Sequence, residues 1–147
     1  MEIVQKDAFK VVGIKVVADW ENLGVEMPEA WQKFISRHTE IKHKVNNVFI
    51  NVSLARDGDV YTQLICSEVS AFADIPQGMV PVELPGQAYI HHRHVGPVND
   101  IATSFVRMYQ WADDNGHAVD EFKLDIGYTS DGREQEHNLF IRVVPPM

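Results

Sequence analysis

The feature that most limits what this chain can fold into is that its second half repeats the pattern of its first. A shift of 74 residues lays Asn51 on Asp125, Val52 on Ile126, Val69 on Val143, Trp31 on Phe105 and Asp57-Gly58 on Asp131-Gly132. Identity along this alignment is low, and any two Asp-Gly hairpins would align at their turns. The agreement extends to the helix and the strand that precede each hairpin, which is what marks a duplication.

Residues 9–17 are β-branched and partly alternating, the mark of a strand. Residues 19–27 read as a loop. Pro28 suits a first helical position, where its missing N–H costs nothing. Trp31, Phe34, Ile35 and His38 follow at helical spacing and predict a buried face. Residues 48–54 and 60–69 flank Asp57-Gly58, a hairpin signal. Residues 70–86 hold Pro76, Gly78, Pro81, Pro85 and Gly86 and read as a loop with a short strand at 79–82. The order then recurs: a strand at 87–95, a helical stripe of Ile101, Phe105, Met108 and Ala112, and a hairpin of 122–128 and 138–144. The pattern predicts an α+β fold in one domain over 1–147. Two β-α-β-β units, approximately 1–75 and 76–147, pair into a curved antiparallel sheet with two helices packed on one face.

With 21 acidic against 13 basic residues, the formal net charge is -8. That average field repels a phosphate backbone, so direct nucleic-acid binding is not expected. The lone cysteine, Cys66, allows no intramolecular disulfide and fits a reducing compartment. Neither a signal peptide nor an apolar run of transmembrane length is present, so the expected setting is cytoplasmic, with no membrane.

Strand alternation assigns faces. Phe122, Leu124, Ile126 and Tyr128 share one side of their strand; Lys123, Asp125 and Gly127 share the other. Ile50, Val52 and Leu54 oppose Phe49, Asn51 and Ser53 in the same way. The apolar sets correspond across the repeat and are expected to face the helices. Asn51 and Asp125 then fall at equivalent places on the open face. A carboxylate walled there by aromatics favours a cation through low-dielectric attraction and cation–π contact; a solvated strand aspartate is the plain alternative. Tyr89 is expected on the side of Asp125, with His91 beside it and Tyr61 opening the first hairpin's return strand. Each tyrosine fits a half-buried strand aromatic equally well. Trp31 and Phe34 read as core, and Trp111 as core or pocket wall. His92 and His94 share a strand face, but two ligands fall short of a zinc site. No metal, cofactor or catalytic residue is assigned, and Cys66 reads as a small packed side chain.

Several motifs bear a family likeness. Pro28-Glu29-Ala30-Trp31-Gln32-Lys33-Phe34 resembles the first-helix pattern of GyrI-like effector-binding domains. Leu84-Pro85-Gly86-Gln87-Ala88-Tyr89 with His94-Val95-Gly96-Pro97 resembles the mid-chain strand and turn, and Met108-Tyr109-Gln110-Trp111 the close of the second helix. The likeness covers nearly the whole chain. It implies two strand–helix–strand–strand units and a ligand-sensing role, as in multidrug-responsive and AraC-type transcription regulators. It also implies a pocket of aromatics around a buried acid that attracts lipophilic cations. With no room for a helix-turn-helix domain, the chain resembles the free-standing members, which include gyrase-inhibitory proteins and hydrolases of reactive compounds. The family's acid is a Glu on the penultimate strand shortly before a Tyr. Asp125 is the match here, one methylene shorter, with Tyr128 displaced by one position.

Together these readings predict a module that binds amphipathic or cationic small organic molecules. It would act in sensing, sequestration or transcription-linked regulation, as a monomer or homodimer. Asp125 supplies the charge; Tyr61, Tyr89, Asn51, Trp111 and His91 supply the walls. Two alternatives stand: a hydrolase of reactive xenobiotics using Asp125 as base or electrostatic stabiliser, and a gyrase-modulating domain whose acidic surface binds a protein partner.

Overall fold

The computed structural model describes residues 1–132 and 136–145. Residues 133–135, inside the expected second hairpin, and 146–147 lie outside the described residues.

Among the described residues, eight antiparallel strands form one sheet. They are β1 (Glu2–Lys6), β2 (Phe9–Asp19), β3 (Lys44–Asp57), β4 (Val60–Val69), β5 (Val80–Leu84), β6 (Gln87–Val95), β7 (Val119–Tyr128) and β8 (Glu136–Val143). Helices α1 (Trp20–Arg37) and α2 (Ile101–Asp114) connect β2 to β3 and β6 to β7. The strand order is β1-β6-β8-β7-β3-β4-β2-β5, which reads the same from either end once β7 is equated with β3, β8 with β4 and β6 with β2. Its middle is the β3–β7 pair, where Asn51 lies directly opposite Asp125. The 74-residue shift thus carries Asn51 onto its own cross-strand partner, as a pseudo-two-fold axis through that pair requires. Register agrees: Asn51 faces Ile65 as Asp125 faces Leu139, and Val52 faces Leu64 as Ile126 faces Asn138.

The outer strands are exchanged. β1 opens the first half yet pairs with β6, and β5 opens the second yet pairs with β2. Neither strand belongs to the repeat as read from the sequence; β1 is not expected at all.

Both faces of the sheet are covered, in different ways. α1 packs Ala30 and Phe34 on Val12, Phe49 and Ile65, while α2 packs Ile101, Met108 and Ala112 on Ile90, Leu139 and Ile141. The other face carries Ile50, Val52, Leu64, Leu124 and Phe122, closed over by Phe9, Leu84 and Tyr89 from the two outer wings. The sheet curls until its wings meet, so its inner face needs no helix. Gly13 permits the curl on one side: a Cβ there would fall 1.9 Å from the Ile65 carbonyl oxygen. This overturns the expected face assignment. Ile50, Val52, Leu124 and their neighbours face the closed inside of the curl, and Asn51 and Asp125 face the helices. Alternation separates two faces but does not say which one a helix covers.

Residues 19–27 are helix rather than loop. Asp19 caps α1, its Oδ1 accepting from the Asn22 N–H at 2.8 Å. Pro28 therefore sits inside the helix, where it leaves the Gly24 carbonyl without its N–H. Both residues are exposed, so water can satisfy that carbonyl. Ile35 is exposed rather than on the buried face. Among the described residues no helix is long and apolar enough to cross a membrane.

Candidate functional site

The extra helix at the start of α1 shapes the main cavity. The repeat lays Ile101, first in α2, on Met27 and the 3-10 turn Val98–Asp100 on residues 24–26, so residues 20–23 have no helical counterpart. They bring Trp20 and Leu23, with Met27, to one wall of a cavity of about 440 Å³. Val98, Ile101, Ala102 and Phe105, from the start of α2 and the turn before it, form the facing wall. The floor is the middle of the sheet: Asn51, Ser53, Gln63, Lys123, Asp125 and Tyr128. Walls are apolar and floor polar, the usual division in a small-molecule site.

Asp125 is 4% exposed and both of its oxygens are engaged. The Tyr128 hydroxyl donates to Oδ2 at 2.5 Å, and His137 Nδ1 lies 2.7 Å from Oδ1. A carboxylate only accepts, so the imidazole Nδ1–H donates. Two short bonds to an ion of this kind offset much of the cost of burying it. Burial, reinforced by the Asp125 charge, pushes the Tyr128 hydroxyl above the usual tyrosine range, which keeps it a donor. Across the central pair, Asn51 Oδ1 is buried with no hydrogen-bond partner among the described residues.

A bulge makes this arrangement. β7 pairs Tyr128 with Phe49 and Ile126 with Ile50, so Gly127 is the extra residue in the ladder. A Cβ on Gly127 would lie 2.8 Å from the His137 ring, so only glycine leaves the imidazole its place. The bulge also turns Tyr128 out of its expected alternation with Ile126 and onto the face of Asp125. There its ring packs on Trp31, centroids 4.7 Å apart.

The rim is charged. Lys123 Nζ donates to the Tyr109 hydroxyl at 3.2 Å and to the Glu121 carbonyl at 3.3 Å. Its ammonium lies 5.9 Å from the Phe105 ring centroid. Burial lowers the Lys123 pKa, against the pull of Glu121 and Asp120. Arg56 stacks over Tyr61 at 5.0 Å, and Trp20 leans on the same ring, centroids 5.7 Å apart. Trp20 is 73% exposed, an apolar surface standing at the mouth.

Of the six residues singled out from sequence, Asp125, Asn51 and Tyr61 line this cavity. The other three lie elsewhere. Tyr89 is fully buried on the inner face, against Phe122 and Phe140, so it faces away from Asp125. His91 shares that face and stacks on Phe140 at 4.7 Å. Trp111 stacks on His117 at the far end of α2. His94 uses both ring nitrogens, one 2.7 Å from the Ser104 hydroxyl and one 3.0 Å from the Pro97 carbonyl oxygen. Sequence reading missed Trp20, Leu23, His137, Tyr128 and Lys123. The Asp19 cap and the glycine before Tyr128 were the available signals.

Known proteins share this architecture. Residues 2–144 match the family described as integron-associated effector binding protein, Cass2. The transcriptional regulator BrlR of Pseudomonas aeruginosa is 30% identical over 108 residues, 73% of this chain but only 39% of BrlR. Among solved structures, SAV2435 bound to tetraphenylphosphonium has a TM-score of 0.73 at 12% identity, over 97% of this chain and 93% of its own. An integron cassette protein of Vibrio cholerae gives 0.71 at 12% identity, over 97% and 95%. At these identities the structural likeness is one of fold, whereas the family match follows the sequence through both halves. On that match, this chain belongs to the Cass2 family of integron-associated effector binding proteins.

Proposed function

We propose that the cavity between α1 and α2 binds a lipophilic organic molecule with a cationic group, and that the protein senses or sequesters such molecules in the cytoplasm in connection with transcriptional regulation. The observation that carries this reading is Asp125, a buried carboxylate on the floor of a cavity with apolar, aromatic-bearing walls. A cation there gains Coulomb attraction in a poorly screened setting. Trp20 and Tyr61 offer faces for aromatic stacking and cation–π contact. Both halves contribute to the floor, so the two units act as one site. The tetraphenylphosphonium complex of SAV2435 supports the ligand class, and likeness to part of BrlR supports the link to regulation.

Calorimetric titration with tetraphenylphosphonium, beside the uncharged triphenylphosphine oxide, tests the reading. Asp125→Asn is expected to weaken the cation by about 10- to 100-fold and leave the neutral compound nearly unchanged. Equal affinity of the cation for both proteins, each confirmed folded by its melting curve, would remove Asp125 from the site.

A further inference from the structure

We propose that the cavity contains a second, anion-directed subsite made by Lys123 and Arg56, so that its preferred ligand carries an anionic group as well as a cationic one. This rests on the reading of Asp125 given above and names the ligand class more narrowly.

The argument begins with position. Lys123 and Asp125 are two residues apart on β7 and share a face, so their side chains leave the strand about 7 Å apart. Both line the cavity. In the first half the place of Lys123 is held by Phe49, which is fully buried beneath Phe34 at 5.0 Å. A site that packing fills with an aromatic ring in one half therefore holds a cation in the other. Burial works against that cation, so the fold itself gains little from it.

Partners come next. An ammonium has three donors, and two are used, both on uncharged oxygens: the Tyr109 hydroxyl and the Glu121 carbonyl. The Glu121 carboxylate makes a loose ion pair with Lys123 at 3.8 Å and is shared with Arg56 at 3.9 Å. Two cations thus stand around one half-exposed acid, an excess of one positive charge at the rim. Arg56 reaches the same mouth from β3, its guanidinium over Tyr61 and its Nε donating to the Gly58 carbonyl at 3.1 Å. With Asp125 below, the cavity is negative at its floor and positive at its rim. The ligand complementary to this is an aromatic zwitterion with its charges about 7 Å apart.

A matched pair of dyes tests this: a rhodamine with a free carboxylate, a zwitterion at neutral pH, and its methyl ester, a net cation with the same ring system. Binding is read by fluorescence anisotropy, with tetraphenylphosphonium titrated in parallel. The acid is expected to bind about fivefold more tightly than the ester, and Lys123→Met to abolish that preference. Lys123→Met keeps the apolar stem, and Tyr109 keeps its bond to the Asp120 carbonyl, so the fold is retained. If acid and ester bind alike, or the ester binds better, and both weaken in Asp125→Asn, the second subsite is overturned while the cation site stands. Binding of tetraphenylphosphonium but of neither dye also overturns it. Failure of all three to bind removes both readings.

Discussion

At the centre of the sheet the two halves meet through Asn51 and Asp125, equivalent in the repeat and opposite in the ladder. Their surroundings differ in kind. Around Asp125 stand Tyr128 and His137, both bonded to it. Their counterparts around Asn51 are Leu54, which packs with the inner core, and Gln63, which accepts from Ser53 at 3.1 Å. The bulge at Gly127 accounts for much of the contrast, because it turns the next side chain through the sheet. The lesson is that duplication built a symmetric frame, and the bulge between β3 and β7 with a few substitutions made one side of it polar and chemically distinct.

Exchanging side chains between equivalent places is the sharpest way to break this comparison. Phe49→Lys should destabilise by about 4 kcal/mol or more, since it buries an unpaired cation beneath Phe34. Lys123→Phe should cost about 1 kcal/mol or less, because the cavity beside it can take the ring. Urea unfolding measures both, and losses of equal size would mean that the halves are packed alike. A smaller effect is expected at the bulge. Gly127→Ala forces a methyl against the Glu136 carbonyl and the His137 ring, at 2.7 and 2.8 Å, and should cost about 2–3 kcal/mol. The equivalent change in the first half, Ser53→Ala, should cost about 1 kcal/mol or less. Comparable melting temperatures for the two variants would show that the bulge is not what holds His137.

The smallest effect concerns pH. Tyr128 keeps its proton more tightly in the folded protein than in the unfolded chain. Its contribution is therefore complete below about pH 10, where an unfolded tyrosine titrates, and is lost as pH rises beyond it. Tyr128→Phe should cost about 1 kcal/mol at neutral pH through the lost bond to Asp125. Above about pH 10 its stability should fall less steeply, by up to about 1.4 kcal/mol per pH unit. Parallel slopes for the two proteins would place the alkaline transition elsewhere.

Much of the frame was legible in the residues. Periodicity located α2, β4 and β6, and the repeat offset matched the central register because it reflects a real axis. Three things resisted reading, each for a physical reason. The facing of Asn51 and Asp125 depends on how far the sheet curls, and curl comes from wings far apart in sequence. Tyr128 breaks alternation at a bulge, which period-two counting cannot anticipate, although glycine there was a hint. The start of α1 was hidden by Pro28, which suited a helix start while Asp19 supplied the true cap. Tyr89 and His91 were misplaced by the same curl, since the inner face is as buried as the helical one.

The exchange of β1 and β5 bears on how the chain is made. Synthesis delivers β1 first, but its neighbour β6 emerges some eighty residues later, and β2 lacks its outer neighbour until β5 appears. A nascent first half therefore leaves the ribosome with open strand edges along both β2 and β3, each able to pair with another chain. Neither half completes its outer edge before the other is made, so the half-made protein is the stage at which exposed edges are most numerous.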